Sequence, residues 1–199
     1  MRTHGWSGRF PADDQEATER IVTAAAEMID GGSSEASILQ VAKRLGVSRA
    51  TVYRYFPDTQ TLIKATADRA AEEFQVGLAA GLAGITDPAD ACVEGIALTL
   101  ERLATHRRFR LLFADAARGQ HISVVTSPHA LAAGRHIVDR FDVDWQALGW
   151  SDDDRNELVE LMLRMVQSLL LDPGHPPRSP AELRKYLHRW IAPAVTALH

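Results

Sequence analysis

The sequence contains little cysteine and lacks a long hydrophobic run. Its single cysteine, Cys92, rules out an internal disulfide and the cysteine-rich kinds of zinc site. No stretch approaches the roughly 18 consecutive apolar residues of a membrane span, and the first residues, MRTHGWSGRF, are polar where a secretory signal is apolar. We therefore expect a cytoplasmic protein. The chain has 199 residues, 46% of them hydrophobic and 24% charged, which is typical of a protein that folds around its own core.

The sequence also lacks the motifs of common enzymes. It contains no glycine-rich nucleotide or phosphate loop, no Gly-x-Ser-x-Gly and no His-Glu-x-x-His. His129 and His136 are spaced to share a helix face near Asp139, but no matching carboxylate cluster completes a zinc site. The sequence therefore shows no recognisable catalytic motif, and we expect neither an enzyme nor a cofactor or metal.

Charge is distributed unevenly along the chain. The formal net charge is -4, which by itself would repel a nucleic acid. The segment from Ser37 to Lys64, however, contains five Lys or Arg residues and one acidic residue, Asp58. Its net charge is therefore +4 and that of the remainder is -8. This segregation identifies the segment as a candidate contact surface for an anionic partner.

Helical periodicity extends through almost the whole chain, and we predict an all-α protein of about nine helices. The predicted helices cover approximately residues 13–30, 37–45, 48–55, 59–82, 88–105, 107–117, 128–141, 152–171 and 180–198. Turn residues at 84–88 mark the best domain boundary. We accordingly divide the chain into an N-terminal arm (1–12), an N-terminal domain with its connector helix (13–82) and a second helical domain (83–199).

The segment SILQVAKRLGVSRATVYRYF, residues 37–56, predicts a helix-turn-helix. Gly46 can adopt the positive φ of a sharp helix exit, and Ser48 can cap the next helix. On the outward side of the second helix the pattern places Arg49, Tyr53 and Arg54, together with Thr51. Such side chains can reach phosphates and base edges in a major groove.

Three segments resemble the DNA-binding domain of the TetR family of transcriptional regulators: ERIVTAAAEMID, GVSRAT and VYRYFPDTQTL. The resemblance implies that Val52 and Phe56 are core residues and that Ser37, Tyr53 and Tyr55 contact the DNA backbone. The full set of implied DNA-contacting residues is Ser37, Gln40, Ser48, Arg49, Ala50, Thr51, Tyr53, Arg54, Tyr55 and Lys64. Lys64 enters the set because Thr59 and Gln60 stand where the family commonly has Lys and Glu.

In the second domain the resemblance is one of architecture. It implies a small-molecule pocket among the middle helices and a homodimer formed by the last two, with repression of a palindromic operator that an effector relieves. The candidate pocket residues are Phe109, Phe113, His136, Phe141, Trp145, Met162 and Met165, all of which also suit an ordinary core. The candidate interface residues are Leu158, Leu161, Met165, Leu169, Leu183, Leu187, Trp190, Ile191 and Val195.

Three alternatives stay open at the level of sequence. The first is an adaptor that keeps the fold but has lost DNA binding, and the second is an activator rather than a repressor. The third concerns the N-terminal arm, where Arg2 and Arg9 either reach along the DNA or belong to a disordered tail.

Overall fold

The computed structural model describes residues 5–33, 36–108 and 127–197, and this part of the chain is helical without a strand. The all-α prediction is confirmed. After a short 3-10 helix, Trp6–Gly8, the α-helices are α1 (Asp14–Asp30), α2 (Ile38–Leu45), α3 (Arg49–Tyr55), α4 (Thr59–Leu82), α5 (Pro88–Thr105), α6 (Pro128–Val138), α7 (Asp152–Leu171), α8 (Pro180–Trp190) and α9 (Ala192–Thr196). None of the described helices is long and apolar enough to cross a membrane.

Side-chain caps fix the starts of several helices. Ser151 accepts a hydrogen bond from the backbone N–H of Asp154 at 3.1 Å, and Ser179 accepts one from Glu182 at 3.4 Å. In both cases the acidic side chain bonds back to the serine, which completes a capping box. These starts coincide with those that the sequence predicts.

Two helix ends differ from the prediction. The helix expected to continue to residue 141 ends at Val138, and the helix expected from 180 to 198 breaks at Ile191 into α8 and α9. The break follows from Pro193, because proline has no N–H to donate to the carbonyl of Arg189 one turn earlier. The helix predicted at 107–117 lies outside the described residues except for its first two positions.

The chain forms two compact units. The N-terminal unit comprises the described residues up to 73 together with 106–108, and the C-terminal unit comprises 74–105 and 127–197, so that the division falls within α4. Residues 106–108 are fixed to the N-terminal unit through Arg108. Its backbone N–H donates to Asp30 at the end of α1 at 2.8 Å, and its guanidinium is paired with Asp30 and, at 3.0 Å, with Glu73.

The N-terminal unit is built around small and branched apolar side chains. Ile21 and Ala25 of α1 are fully buried, as are Val41 of α2, Val52 of α3 and Leu62 of α4. These residues belong to one core cluster. Because four helices contribute to it, the cluster holds α3 in place against α1, α2 and α4.

Trp6, which precedes every α-helix, belongs to the same core and is only 7% exposed. The adjacent Gly5 passes close to the turn between α2 and α3, since a Cβ at Gly5 would lie 3.1 Å from the carbonyl oxygen of Gly46. Further along, the carbonyl of Arg9 accepts a hydrogen bond from Arg20 at 2.5 Å. The described part of the predicted arm is therefore attached to the unit at these points, although the side chains of Arg9 and Phe10 are exposed.

In the C-terminal unit, α5 packs against α7, α8 and α9, while α6 packs against α7. Gly95 permits close packing on α5, because a Cβ there would lie 3.2 Å from both Phe141 and Met162. Arg184 of α8 joins two carboxylates of α5, Glu94 at 2.6 Å and Glu101 at 2.5 Å. These carboxylates, Glu94 first, raise the pKa of Arg184.

Candidate nucleic-acid interface

The start of α2 is held by a capping box. The Oγ of Ser37 accepts from the backbone N–H of Gln40 at 3.4 Å, and the side-chain oxygen of Gln40 accepts from the backbone N–H of Ser37 at 3.1 Å. Two residues that the resemblance assigns to DNA thus lie together and are already oriented by each other. In the free protein these two side chains accept hydrogen bonds from backbone N–H groups at the start of α2.

The turn between the helices depends on Gly46, whose φ of 67° and ψ of 26° lie in the left-handed region. The backbone N–H of Val47 then donates to the carbonyl of Ala42 at 3.0 Å, which closes α2. Ser48 begins α3 directly afterwards, because its Oγ accepts from the backbone N–H of Thr51 at 3.0 Å. Its hydroxyl is also 2.9 Å from that of Thr51.

Helix α3 has one buried face and one polar exposed face. Val52 is fully buried and Phe56, at the cap, is nearly so, which agrees with the core roles expected for them. Arg49, Ala50 and Arg54 are exposed, and Tyr53 is 52% exposed. The seven-residue helix therefore presents cations and a phenol to solvent while a single valine anchors it.

A carboxylate from α1 meets the end of this helix. The Oδ1 of Asp14 accepts hydrogen bonds from Nη2 of Arg54 at 2.7 Å and from the Tyr55 hydroxyl at 2.8 Å. Hydrogen bonding by Tyr55, followed by Arg54, lowers the pKa of the Asp14 carboxyl, and the same contact raises the pKa of Tyr55. The Arg54 guanidinium carbon also lies 5.2 Å from the Tyr55 ring centre, within cation–π range.

The remaining predicted contact residue, Lys64, lies on α4. Its Nζ is 2.8 Å from Asp68, one turn further along the helix. Sequence reasoning did not identify Asp14, because a contact between residues 40 positions apart leaves no local pattern. It also did not identify Trp6 as a core residue, since that residue lies outside any periodic segment.

Three of the residues predicted to form a ligand pocket lie close together, because Phe141 packs against Trp145 and both Phe141 and Met162 approach Gly95. Phe109 and Phe113 lie outside the described residues, and His136 is exposed on α6 rather than directed into a cavity. Phe141 and Trp145 are buried with ring centres 6.4 Å apart, and the Trp145 indole donates to the carbonyl of Val138 at 3.3 Å. Met162 and Met165 are half-buried on α7.

A cavity of about 350 Å³ opens elsewhere in the C-terminal unit. It lies between the ends of α5 and α7 and the start of α8. Its lining residues are Leu100, Glu101, Ala104, Leu169, Leu170, Pro173, Arg178, Pro180 and Leu183. Two of the leucines, Leu169 and Leu183, were predicted to lie in a dimer interface.

The other predicted interface residues fall into two groups. Leu158, Leu187, Ile191 and Val195 are buried within the C-terminal unit, so the chain itself already covers them. Leu161 and Trp190 are 41% and 61% exposed, and Met165 is half-buried. Only this second group offers side chains to a partner without rearrangement of the core.

No group of three or more His, Cys, Asp or Glu residues suited to a metal ion occurs in residues 5–33, 36–108 and 127–197. Of the carboxylates at the start of α7, Asp154 is engaged with Ser151 and Asp152 with arginines. Asp152 is 2.7 Å from Arg135 and is also paired with Arg155.

The helix-turn-helix segment lies within the match to a family model. Residues 21–66 match the model described as bacterial regulatory proteins, tetR family. Two curated proteins of Mycobacterium tuberculosis, from strains CDC 1551 / Oshkosh and H37Rv, are each 25% identical to the chain over 182 residues. The matches cover 90% of this chain and 86% of each relative, and both relatives are described as uncharacterised HTH-type transcriptional regulators.

Two solved structures share the fold. The TetR family repressor AlkX from Dietzia sp. strain DQ12-45-1b has a TM-score of 0.56 and 18% identity, covering 90% of this chain and 96% of that one. A TetR transcriptional regulator from Rhodococcus sp. RHA1 has a TM-score of 0.53 and 21% identity, covering 90% and 98%. Together with the helix-turn-helix geometry, these findings show that residues 21–66 belong to a DNA-binding domain of the tetR family and that the chain is similar to HTH-type transcriptional regulators over 90% of its length.

Proposed function

We propose that the protein is a homodimeric repressor that places one α3 in each of two major grooves of a palindromic operator and leaves the operator when it binds a small apolar effector. The observation that carries this proposal is the exposed polar face of α3, fixed to the core of the N-terminal unit through Val52. A recognition helix needs such a rigid base, because base-edge contacts are sensitive to position. A regulator of this kind acts beside the chromosome, in agreement with the expected cytoplasmic location.

The proposed contacts divide by chemistry. Arg49 and Arg54 supply forked N–H donors of the kind that read guanine in the major groove, and Thr51 supplies a hydroxyl and a methyl group. Tyr53 and Ser37 supply hydroxyls for phosphates, which position the protein but carry no sequence information. Gln40, Ser48, Ala50, Tyr55 and Lys64 complete the proposed surface.

Fluorescence anisotropy with DNA from directly upstream of the protein's own gene tests DNA recognition. Selective binding whose affinity falls steeply with salt supports the proposal. Weak binding that is equal for all sequences would instead favour the adaptor alternative. A transcription assay with the bound operator then separates repression from activation.

The tyrosine contacts can be tested with a matched pair of variants. Tyr53→Phe is expected to weaken binding to all operator sequences by a similar factor, because a phosphate contact is lost. Tyr186→Phe, which lies in α8, is the control and should leave binding unchanged. An effect of Tyr53→Phe confined to one base position would contradict the phosphate role.

The dimer surface is proposed on the exposed apolar residues of α7 and α8, Leu161 and Trp190. The double variant Leu161→Glu/Trp190→Glu is expected to be monomeric by light scattering and to keep the wild-type circular dichroism spectrum. Leu148→Glu, in the turn before α7, adds the same kind of charge at another exposed leucine and should stay dimeric. A dimer that survives the double substitution would contradict this surface.

The effector is proposed to occupy the 350 Å³ cavity, whose volume is within the usual range for small-molecule sites. Its lining is mostly leucine, alanine and proline, with Glu101 and Arg178 as the charged residues, and this composition favours a mainly apolar ligand. AlkX, which shares the fold, is implicated in biodegradation of n-alkanes. A series of n-alkanes and n-alkanols is therefore the first set of compounds to test for release of bound operator.

The cavity-filling variant Leu183→Trp provides the control for this site. It should bind the operator as the wild type does but no longer respond to an active compound. An unchanged response would place the effector site elsewhere.

A further inference from the structure

The carboxylate of Asp14 lies against the end of α3, where two residues of the proposed recognition surface donate hydrogen bonds to it. Its Oδ1 accepts from both Arg54 and Tyr55, at 2.7 and 2.8 Å. Arg54 and Asp14 are about two-thirds exposed, with relative exposures of 65% and 71%, so the pair lies open to an approaching duplex. The two groups best placed to contact a phosphate at the end of α3 are therefore already donating to a negative group of the protein.

Asp14 is not needed to begin its own helix. Asp13 caps α1 by accepting from the backbone N–H of Glu16 at 2.7 Å, and the Glu16 side chain accepts from the backbone N–H of Ala12 at 2.6 Å. The capping hydrogen bonds of α1 are thus made by its neighbours, and the Asp14 side chain is directed at α3 instead.

We infer that Asp14 is a specificity-determining residue, which holds Arg54 and Tyr55 and repels phosphates so that binding to random DNA is weakened more than binding to the operator. This inference rests on the proposed contact of α3 with DNA. Random DNA is bound almost entirely through phosphates, and a phosphate at Arg54 must either displace the carboxylate or lie beside it. A guanine edge carries no such charge, and only Nη2 of the Arg54 fork is used by Asp14, so base reading is opposed less.

The test compares full-length variants on a random-sequence duplex and on the operator, by fluorescence anisotropy over a range of salt concentrations. Asp14→Asn keeps the shape of the side chain and removes its charge. It is expected to bind random DNA up to about five-fold more tightly, the scale of an exposed ion pair, and with a salt slope steeper by about 0.9, the value for one added phosphate contact. Operator affinity should rise less, so discrimination between the two duplexes falls.

Glu19→Gln is the matched control, because it makes the same charge change on an exposed residue of α1, where the Gln15 amide, and not an arginine, bonds to Glu19. It should have a clearly smaller effect on random DNA. The effect of Asp14→Asn should also disappear in an Arg54→Ala background, as a double-mutant cycle for contacting residues requires. An Asp14→Asn variant that matches the wild type or Glu19→Gln, or whose gain persists without Arg54, would overturn the inference.

The same data separate this inference from the proposed function. Failure of the wild type to prefer any operator, while Asp14→Asn still gains affinity for random DNA through Arg54, would contradict operator recognition but leave intact the weakening of phosphate contacts by Asp14. Selective operator binding with no change on Asp14→Asn would do the reverse. If no variant binds duplex DNA, both are wrong.

Discussion

Replacement of Gly46 measures the conformational cost of the turn between α2 and α3. Its φ of 67° is left-handed, and a Cβ added there would have no atom within 4 Å. The cost of Gly46→Ala therefore comes from the backbone alone, about 1–2 kcal/mol for an L-residue in this region. Alanine also restricts the unfolded chain, which returns about 0.4–1 kcal/mol. The expected net loss is close to 1 kcal/mol.

The measurement is the free energy of unfolding from urea titrations, supported by thermal melts, in which a loss of 1 kcal/mol corresponds to about 2–4 °C for a chain of this size. Gly46→Asn should lose less than Gly46→Ala because asparagine tolerates the left-handed region, and Gly46→Val should lose more because it is β-branched. A valine variant as stable as the alanine variant would refute the reasoning. So would an alanine variant that loses several kcal/mol, since that requires a steric clash where the structure has open space.

Two further predictions concern the C-terminal unit. Leu187→Ala, at a position with 0% exposure, should lower the free energy of unfolding by about 2–5 kcal/mol. Trp190→Ala on the same helix should alter the stability of the monomer much less, because Trp190 is exposed. Similar losses for the two variants in urea titrations of monomeric protein would contradict the assignment of Leu187 to the core and of Trp190 to the surface. Cys92 is fully buried, and burial, with a smaller contribution from Asp87, raises the pKa of its thiol to about 12, so it should resist Ellman's reagent at pH 8 until the protein is unfolded. Rapid labelling of the folded protein would show that the site is open.

The sequence was sufficient for those parts of the fold that depend on local interactions. Gly46, Ser48 and Ser179 each act within a few residues of their own position, so the turn and the helix starts could be predicted. Pro193 is the sequence feature that explains the break at Ile191. The apolar pattern continues across the break, however, and by itself predicts one uninterrupted helix. Composition and periodicity are also local properties of the chain, and they were sufficient to predict the helices and the basic segment.

Other features depend on which surfaces meet, and periodicity does not contain that information. Leu187 and Trp190 both suit an apolar helix face, yet the first is buried in the unit's own core and the second is exposed. The contact of Asp14 with Arg54 joins residues far apart in the chain, and Trp6 packs from a segment with no helical pattern. The structure was needed to find all three.

The burial of Trp6 supplies a built-in optical probe. The other tryptophans, Trp145, Trp150 and Trp190, belong to the C-terminal unit, so Trp6 is the single indole of the N-terminal unit. It lies in the core that supports α3, and its neighbour Gly5 runs beside the turn that precedes that helix. In a variant with the other three tryptophans replaced by phenylalanine, the indole fluorescence would therefore come from the N-terminal unit alone. That fluorescence could follow binding to the operator and release from it in real time without an attached dye.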